Sequence, residues 1–554
     1  MAEAELLFVP LGGVGEIGMN LALYGYGPKD HRSWIMVDCG VTFPDAEHPG
    51  ADLVMADTQF AEGLGKALKA IVVTHAHEDH FGALLALWPK FRIPVWCTPF
   101  TAGLLEAKAN DEPDAPKIPV STYKAGDRFN IGPFAIEAIH VAHSIPEPVA
   151  LAIATPAGTV IHTGDWKIDA APSLGANTDA AALTRHGDKG VLALVCDSTN
   201  AMHPGISPTE TAVSESLAEI IANARGRVAI TTFSSNVGRI RSVAFAAKKA
   251  GRRVMLMGRS LRRVVDVAES LGMLDGLDPF VEEDEFQRID RRNLVMILTG
   301  SQGEDRAALA KLARDEHPRI HLSPGDTVIY SSRAIPGNEK AIGDTRNRLI
   351  EQGIEIVTDE DALVHVSGHP RRAELEEMYR WTRPRISVPV HGEAQHLAAH
   401  AQLAGEMGVP ERVSIRNGDI LRLFPGEAAV VGKAPAGRTY LDGKVIGNEE
   451  TTGIADRRKL SHVGIVACSV VLDRDGRMAD DLDLAAIGLP ANAANGEPLE
   501  DLLGDAAEDA LNSLPAGRRR NDDAVSMAVE KAVRAAARDH WGKKPVVTVF
   551  VARV

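Results

Sequence analysis

The chain has 554 residues, 45% hydrophobic and 24% charged, with a formal net charge of −15. That length suggests about three or four domains with enough core to need no disulfide staples, and the negative balance argues against a protein coated for nucleic acid while leaving room for a local binding groove. Four scattered cysteines (Cys39, Cys97, Cys196 and Cys468) without CxxC spacing exclude a zinc ribbon or thioredoxin motif and fit a reducing compartment; the acidic start is no signal peptide and no stretch reaches the roughly 20 apolar residues of a membrane helix, so no membrane association and a cytoplasmic location are expected.

In chain order, apolar runs over 6–9, 21–24 and 34–37 read as strands, with the glycine run Gly12-Gly13-Val14-Gly15-Glu16-Ile17-Gly18 between the first two. This run lacks dinucleotide-fingerprint spacing. It reads instead as a tight turn that lets backbone approach the histidine-rich loop beyond. The apolar stretch 70–73 leads into His75-Ala76-His77-Glu78-Asp79-His80. Further strands are expected over 95–97, 134–139, 150–154, 159–162 and 191–195, with helices over 81–88 and 102–109, a pattern of sheets covered by helices. From residue 205 strands and helices alternate regularly: helices over 209–224, 238–249, 259–271 and 307–313, strands over 228–232, 254–257, 294–298, 327–330, 354–356 and 363–366. Such alternation predicts a parallel sheet with crossover helices.

A helix from Glu374 and a strand over 386–390 ending at His391 return the chain to its first domain. The expected organisation is therefore a first domain split into 1–204 and 369–435, an inserted domain over 205–368, a linker over 436–460 and a small C-terminal α/β domain over 461–554. In the last, strands over 463–472 and 546–551 flank a helix over 521–538, and 491–521 is polar without a clear pattern.

The run His75–His80 crowds four metal-ligand side chains into one loop. Histidine-rich runs also occur on solvated loops, but the ordered HxHxDH pattern directly after a strand is more specific. Successive side chains diverge, so the loop can present His75 and His77 to one ion and Asp79 and His80 to a neighbour. Imidazole and carboxylate donors suit zinc or manganese, and two adjacent ions are the usual device for cleaving phosphodiesters. His143, Asp165 and His391 each follow an apolar strand. Singly each reads as a core histidine or turn aspartate; together with the loop they supply donors for two ions. Arg252-Arg253, Arg259 with Arg262-Arg263, Arg291-Arg292 and Arg371-Arg372 are basic clusters that could contact phosphate or line solvated helix faces.

HxHxDH, a later His, a later Gly-Asp and a distal His resemble the metallo-β-lactamase superfamily. The insertion, with Asp197 in Cys196-Asp197-Ser198-Thr199-Asn200, His369 in Val366-Ser367-Gly368-His369, and His391, resembles its β-CASP branch of nucleases. Four segments make the chain similar to the bacterial ribonuclease J family over nearly its whole length: residues 11–20, Thr232-Phe233-Ser234-Ser235-Asn236, 331–339 and the His369 segment. Histidine at the last motif resembles the RNA-cleaving members more than the DNA-repair members.

The resemblance implies an α/β fold: a metallo-β-lactamase αββα sandwich, an inserted β-CASP α/β domain and a small C-terminal α/β domain. It implies two divalent cations per chain, zinc or alternatively manganese. His75, His77 and His143 would hold one, Asp79, His80 and His391 the other, and Asp165 would bridge them. Asp197 would orient a ligand histidine through its ring N–H, its alternative being a helix cap or turn residue. His369 would serve as general acid or as a hydrogen-bond donor to the transition state. Ser234, Ser235 and Asn236, with Ser367 and Gly368, would hold the 5′ monophosphate of an RNA at a helix N-terminus; a plain N-cap is the alternative for Ser234 or Asn236. The implied activity is 5′→3′ exoribonuclease and endoribonuclease cleavage of single-stranded RNA in RNA decay and maturation, by a homodimer or homotetramer working with other RNA-decay proteins. A DNA nuclease on the same scaffold, a small-ester metallo-hydrolase and a non-catalytic RNA-binding scaffold are the competing readings.

Overall fold

The uninterrupted apolar runs of the first half are strands buried on both faces. In Phe134–His140 and Val149–Thr155, Ile136, Ala138, Leu151 and Ile153 face one core while Ile139, Ala150 and Ala152 face another, the two-residue period of a strand. The structure, a computed structural model, describes residues 3–335 and 337–554; Met1 and Ala2 of the acidic start and Pro336 of the 331–339 segment lie outside it.

Among the described residues, the first sheet has eight strands in the spatial order Ala429–Lys433, Asp419–Phe424, Glu5–Gly12, Leu21–Gly27, Ser33–Val37, Leu68–Val72, Val95–Cys97, Val120–Thr122. The second has seven: Arg128–Ile131, Phe134–His140, Val149–Thr155, Gly158–His162, Val191–Asp197, Ile386–Val390, Glu411–Arg412. They share one core, in which Leu6, Phe8, Tyr24, Ile35 and Val72 of the first meet Phe134, Leu151, Val160, Val195 and Val388 of the second. Helices Ala180–Lys189, Arg372–Thr382 and Ala394–Glu406 cover the outer face of the second sheet through Leu183, Leu375, Met378 and Leu403. The layered α/β sandwich expected from the sequence is the architecture that forms.

Strand direction brings the candidate residues to one edge. Phe134–His140, Gly158–His162, Val191–Asp197 and Ile386–Val390 all run the same way, because Val149–Thr155 is antiparallel to the first two and the later pairs are parallel. In the first sheet Ser33–Val37 and Leu68–Val72 are also parallel. The edges adjoin where the Val149 N–H donates to the Thr74 carbonyl at 3.2 Å.

Val191–Asp197 and Ile386–Val390 pair directly, Asp197 opposite Val390. Within the chain between them lies a separate all-parallel sheet in the order Arg253–Met257, Leu294–Leu298, Val228–Thr231, Thr327–Tyr330, Glu355–Val357. It has its own core, including Ala229, Met255, Met296 and Val328. The strand expected over 363–366 does not form. The Val364 carbonyl instead accepts from Ser331 Oγ at 2.7 Å and from the Arg239 guanidinium at 2.9 Å, side-chain donors in place of a ladder.

The chain divides into two compact units: residues up to Phe43 with Val54–Thr439, and Pro44–Leu53 with Tyr440–Val554. In the second, strands Asp483–Ile487, Ile465–Leu472 and Val546–Arg553 form a sheet. Helices Leu499–Ser513 and Asp522–Trp541 pack on it through Leu503, Leu511, Val525 and Val529. The 436–460 stretch, read from sequence as a linker, carries the strand pair Arg438–Asp442 and Val445–Gly447 and begins the helix Ile454–Val463. Polar pairs hold it, Asp442 with Arg457 and Glu449 with Arg458, and these leave no hydrophobic period to read.

Phe134 is fully buried in the core shared by the two sheets. Phe134→Ala is expected to destabilise the fold by about 3–5 kcal/mol, seen as a lowered midpoint in thermal unfolding followed by circular dichroism.

Candidate metal centre

The strand Leu68–Val72 ends in a loop that carries His75 and His77, and a short helix, Glu78–Phe81, carries Asp79 and His80. His143, Asp165 and His391 follow the C-terminal ends of Phe134–His140, Gly158–His162 and Ile386–Val390. The structure brings all seven together. One group is His75, His77, His143 and Asp165, another is Asp79, His80, Asp165 and His391, and within each group the ligand atoms lie within 4.8 Å of one another.

Asp165 is the shared member. Its Oδ2 lies 3.7 Å from His75 Nε2, 3.6 Å from His143 Nε2 and 3.5 Å from His391 Nε2, and its Oδ1 lies 3.2 Å from His80 Nε2. His77 turns Nδ1 inward, 3.2 Å from His75 Nε2 and 3.0 Å from His143 Nε2. His391 Nε2 is buried without a hydrogen-bond partner.

The second ring nitrogens explain why these atoms face inward. His80 Nδ1–H donates to Asp38 Oδ2 at 2.7 Å, and His143 Nδ1–H to the Gly368 carbonyl at 2.7 Å. His391 Nδ1–H donates to Asn20 Oδ1, and His75 Nδ1–H to Thr74 Oγ1, each at 3.0 Å. Thr74 Oγ1 passes its own proton to Asp38 at 2.9 Å. In His75, His143 and His391 a protonated Nδ1 leaves the inward Nε2 its lone pair for an ion, the arrangement that fixes tautomer and ring orientation in metal sites. Burial would lower the His80 pKa, but the carboxylates of Asp165, Asp79 and Asp38 raise it well above the usual range, so a cation there displaces the Nε2 proton. Burial pushes the His77 imidazole down to about 4 and lowers His75 and His143 as well, so these rings stay neutral and ready to coordinate.

The donor set fits a divalent cation. Zinc bonds of about 2.0–2.1 Å place tetrahedral ligand atoms about 3.4 Å apart, and the 3.0, 3.2, 3.6 and 3.7 Å separations in the first group bracket that value. The chain is thus a binder of divalent metal.

Of the remaining expected residues, Asp197 pairs with His369 rather than with a ligand histidine, Oδ2 to Nδ1 at 2.8 Å. Burial alone would lower the His369 pKa, but the charges of Asp197 and Asp165 lift it to about 9. Ser367 Oγ accepts from the Asn200 side-chain amide at 2.9 Å. Gly368 makes a close approach: a Cβ there would lie 2.6 Å from the His143 ring. Asn236 Oδ1 caps the helix Val237–Lys249 by accepting from the Arg239 N–H at 2.9 Å, and Ser234 Oγ lies 3.0 Å from Ser260 Oγ. The basic clusters are largely paired internally, as in Arg253 with Glu285, Arg262 with Glu282, Arg291 with Asp326 and Arg372 with Glu406.

Sequence reasoning missed Asp38 and Asn20 as partners of the ligand histidines. Asp38 carried a usable signal, a polar residue directly after the buried strand Ser33–Val37. The glycine run does approach this region: the Gly13 carbonyl accepts from the His391 N–H at 2.7 Å. Asp38 has a φ of 62°, which asparagine tolerates. Asp38→Asn is therefore expected to keep the fold and weaken metal affinity by about 10–100-fold, measured by competition with a chelator.

Comparison with known proteins adds the family. A β-lactamase superfamily domain model matches residues 33–229, a ribonuclease J β-CASP domain model 225–349, a Zn-dependent metallo-hydrolase RNA specificity domain model 353–415, and a ribonuclease J C-terminal domain model 452–554. Ribonuclease J of Sinorhizobium meliloti is 59% identical over 552 residues, covering 100% of this chain and 98% of that one. Ribonuclease J of Corynebacterium glutamicum is 38% identical, covering 97% of this chain and 74% of that one. A protein of unknown function from Enterococcus faecalis V583, known from its crystal structure, shares the fold with a TM-score of 0.52 at 16% identity, over 76% of this chain and 100% of that one. With a curated relative of that identity matched end to end and four domain models in the same order, this chain belongs to the ribonuclease J family.

Proposed function

We propose that this chain is a metal-dependent ribonuclease. It hydrolyses the phosphodiesters of single-stranded RNA, removing nucleotides 5′→3′ from 5′-monophosphorylated ends and also cutting internally, in RNA decay and maturation. The observation that carries this reading is the pair of ligand groups pivoting on Asp165, with His369 Nδ1 3.8 Å from the same carboxylate.

In this reading His75, His77 and His143 hold one cation, Asp79, His80 and His391 hold a second, and Asp165 lies between them. Both groups accept zinc, which the metallo-hydrolase domain match favours, and the same donors suit manganese. When bound, two such cations would lower the pKa of a shared water and neutralise charge on the attacked phosphate. Asp197 engages His369 Nδ1, which leaves Nε2 as the atom to hand a proton to the departing 3′ oxygen of the ribose. The Asp197 carboxylate at Nδ1, which holds no cation in this reading, favours the protonated ring.

Ser234, Ser235 and Asn236 precede the helix Val237–Lys249, whose first N–H groups favour an anion. With Ser367 and Gly368 they form the proposed seat for the 5′ phosphate. A phosphate held there places the first scissile bond at the centre and favours stepwise removal. Assembly as a dimer or tetramer, contact with other RNA-decay proteins and a cytoplasmic location belong to the same proposal. All four cysteines are free and buried, as suits a reducing compartment, and no helix among the described residues is long and apolar enough to cross a membrane.

His369→Ala is expected to lower kcat by about 10²–10⁴-fold while metal content, read by elemental analysis, stays at the wild-type level. His77→Ala is expected to abolish cleavage. RNAs of one sequence bearing 5′-monophosphate, triphosphate or hydroxyl ends should be degraded fastest with the monophosphate, and DNA of that sequence should be cut poorly. Equal rates on the three ends would remove the phosphate seat, and equal rates on RNA and DNA would remove the ribonuclease assignment.

A further inference from the structure

The metal centre and the 5′-phosphate loop sit on separate segments of the chain, and exonucleolytic cleavage requires a set distance between them. A row of buried charges joins the two. The loop after Asp165 continues through Trp166 to Lys167, whose Nζ lies 2.8 Å from Asp169 Oδ2 and 3.8 Å from Glu210 Oε1. Glu210 Oε2 accepts from Arg239 Nη2 at 2.8 Å and from Nε at 3.3 Å. Arg239 Nη1 also donates to Ser331 Oγ and, at 2.9 Å, to the Val364 carbonyl. Lys167, Asp169, Glu210 and Arg239 are 1%, 0%, 5% and 0% exposed, and their charges balance.

Each end is anchored to the residues that would do the work. The Lys167 N–H donates to the Ala142 carbonyl at 2.8 Å, beside His143. The Arg239 N–H donates to Asn236 Oδ1 at 2.9 Å, in the phosphate loop. Val364 leads directly into Ser367, Gly368 and His369. Between the ends lies a cavity of about 230 Å³, lined by His143, Ser144, Lys167, Glu210, Asn236 and Gly238 among others.

Ion networks this deeply buried contribute little net stability, because desolvation offsets attraction, and apolar replacements of similar volume are often neutral. What a guanidinium fork and its carboxylate supply is fixed geometry. We propose that Glu210 and Arg239, with Lys167, are positioning residues: the buried charge row sets the span between the 5′-phosphate loop and the metal centre, and with it the preference for a 5′-monophosphate end. The proposal rests on the phosphate-loop reading above.

Two full-length variants test it. Glu210→Gln removes one charge at constant shape. Glu210→Gln/Arg239→Met removes a balanced pair and leaves Lys167 with Asp169, so no unpaired charge remains buried; it decides the matter where the single variant fails to fold. Each is compared with wild type on 5′-monophosphate and 5′-hydroxyl RNA of one sequence, on bis(p-nitrophenyl) phosphate, which needs the metal centre alone, and for bound metal. The ratio of monophosphate to hydroxyl rates is expected to fall about tenfold or more, since a misplacement of about 1 Å can cost about a hundredfold. That fall should come mainly through KM for the monophosphorylated end, with bis(p-nitrophenyl) phosphate hydrolysis and metal content unchanged. Arg239→Lys, which keeps charge but loses the fork, should recover only part of the ratio. A wild-type preference that persists in both variants overturns the inference alone. So does a parallel loss of hydrolysis on all three substrates in the double variant, the mark of a merely structural role. Equal wild-type rates on the two RNA ends overturn the phosphate-loop reading and this inference with it.

Discussion

The carboxylate of Asp165 is 2% exposed and lies within 3.8 Å of His75, His80, His143, His369 and His391. An anion taken that far out of water costs several kcal/mol unless positive charge faces it. Burial alone would raise its pKa, and the imidazoles of His391, His80 and His369 hold it well below the usual carboxylate range. The rings of His75 and His143 are meanwhile kept neutral by the same burial. Neutral rings on one side of the carboxylate and protonated ones on the other leave donors that cations can take up by displacing protons, and the remainder of this edge keeps those rings in place.

Its orientation comes from a second layer. Asp38, Thr74, Asn20 and the Gly368 carbonyl each engage a ring nitrogen that faces away from Asp165. Their sources are spread across the first sheet, the turn after it and the segment that returns from the inserted region. Removing any one would leave a ring free to rotate, and outer partners of this kind are commonly nearly as important to a metal site as the ligands. Gly368 illustrates how tightly the parts are packed, since its carbonyl steers His143 and its missing side chain makes room for that ring.

The fold gathers these pieces by strand direction. Four strands of the second sheet end on one edge, carrying the segments of His143, Asp165, Asp197 and His391, and the parallel pair Val191–Asp197 with Ile386–Val390 closes over the long excursion between them. That excursion therefore leaves and re-enters the sandwich beside the metal centre. Side chains bridge the excursion and the sandwich there: Lys167 of the sandwich faces Glu210 of the excursion at 3.8 Å, and Glu210 in turn pairs with Arg239.

Much of this was legible in the amino-acid order. Apolar runs that stop at a polar residue are local signals: they marked most strands of both sheets, the loop of His75, His77, Asp79 and His80, and the strand ends before His143, Asp165 and His391, which the family resemblance joined into one set. Local pattern failed where structure rests on isolated long-range contacts. The 363–366 run, largely apolar, pairs with side chains instead of a strand. The helix Leu499–Ser513 is a different case: Leu499, Leu503, Ala507 and Leu511 keep a four-residue spacing that a reading of 491–521 as polar passed over. Which atom turns each imidazole, the pairing of Asp197 with His369, and the charge row from Lys167 to Arg239 were decided only by the tertiary structure. Every residue carries a carbonyl, and aspartates and arginines are common, so nothing in sequence marks the particular ones that folding brings within 3 Å of a functional ring or of each other.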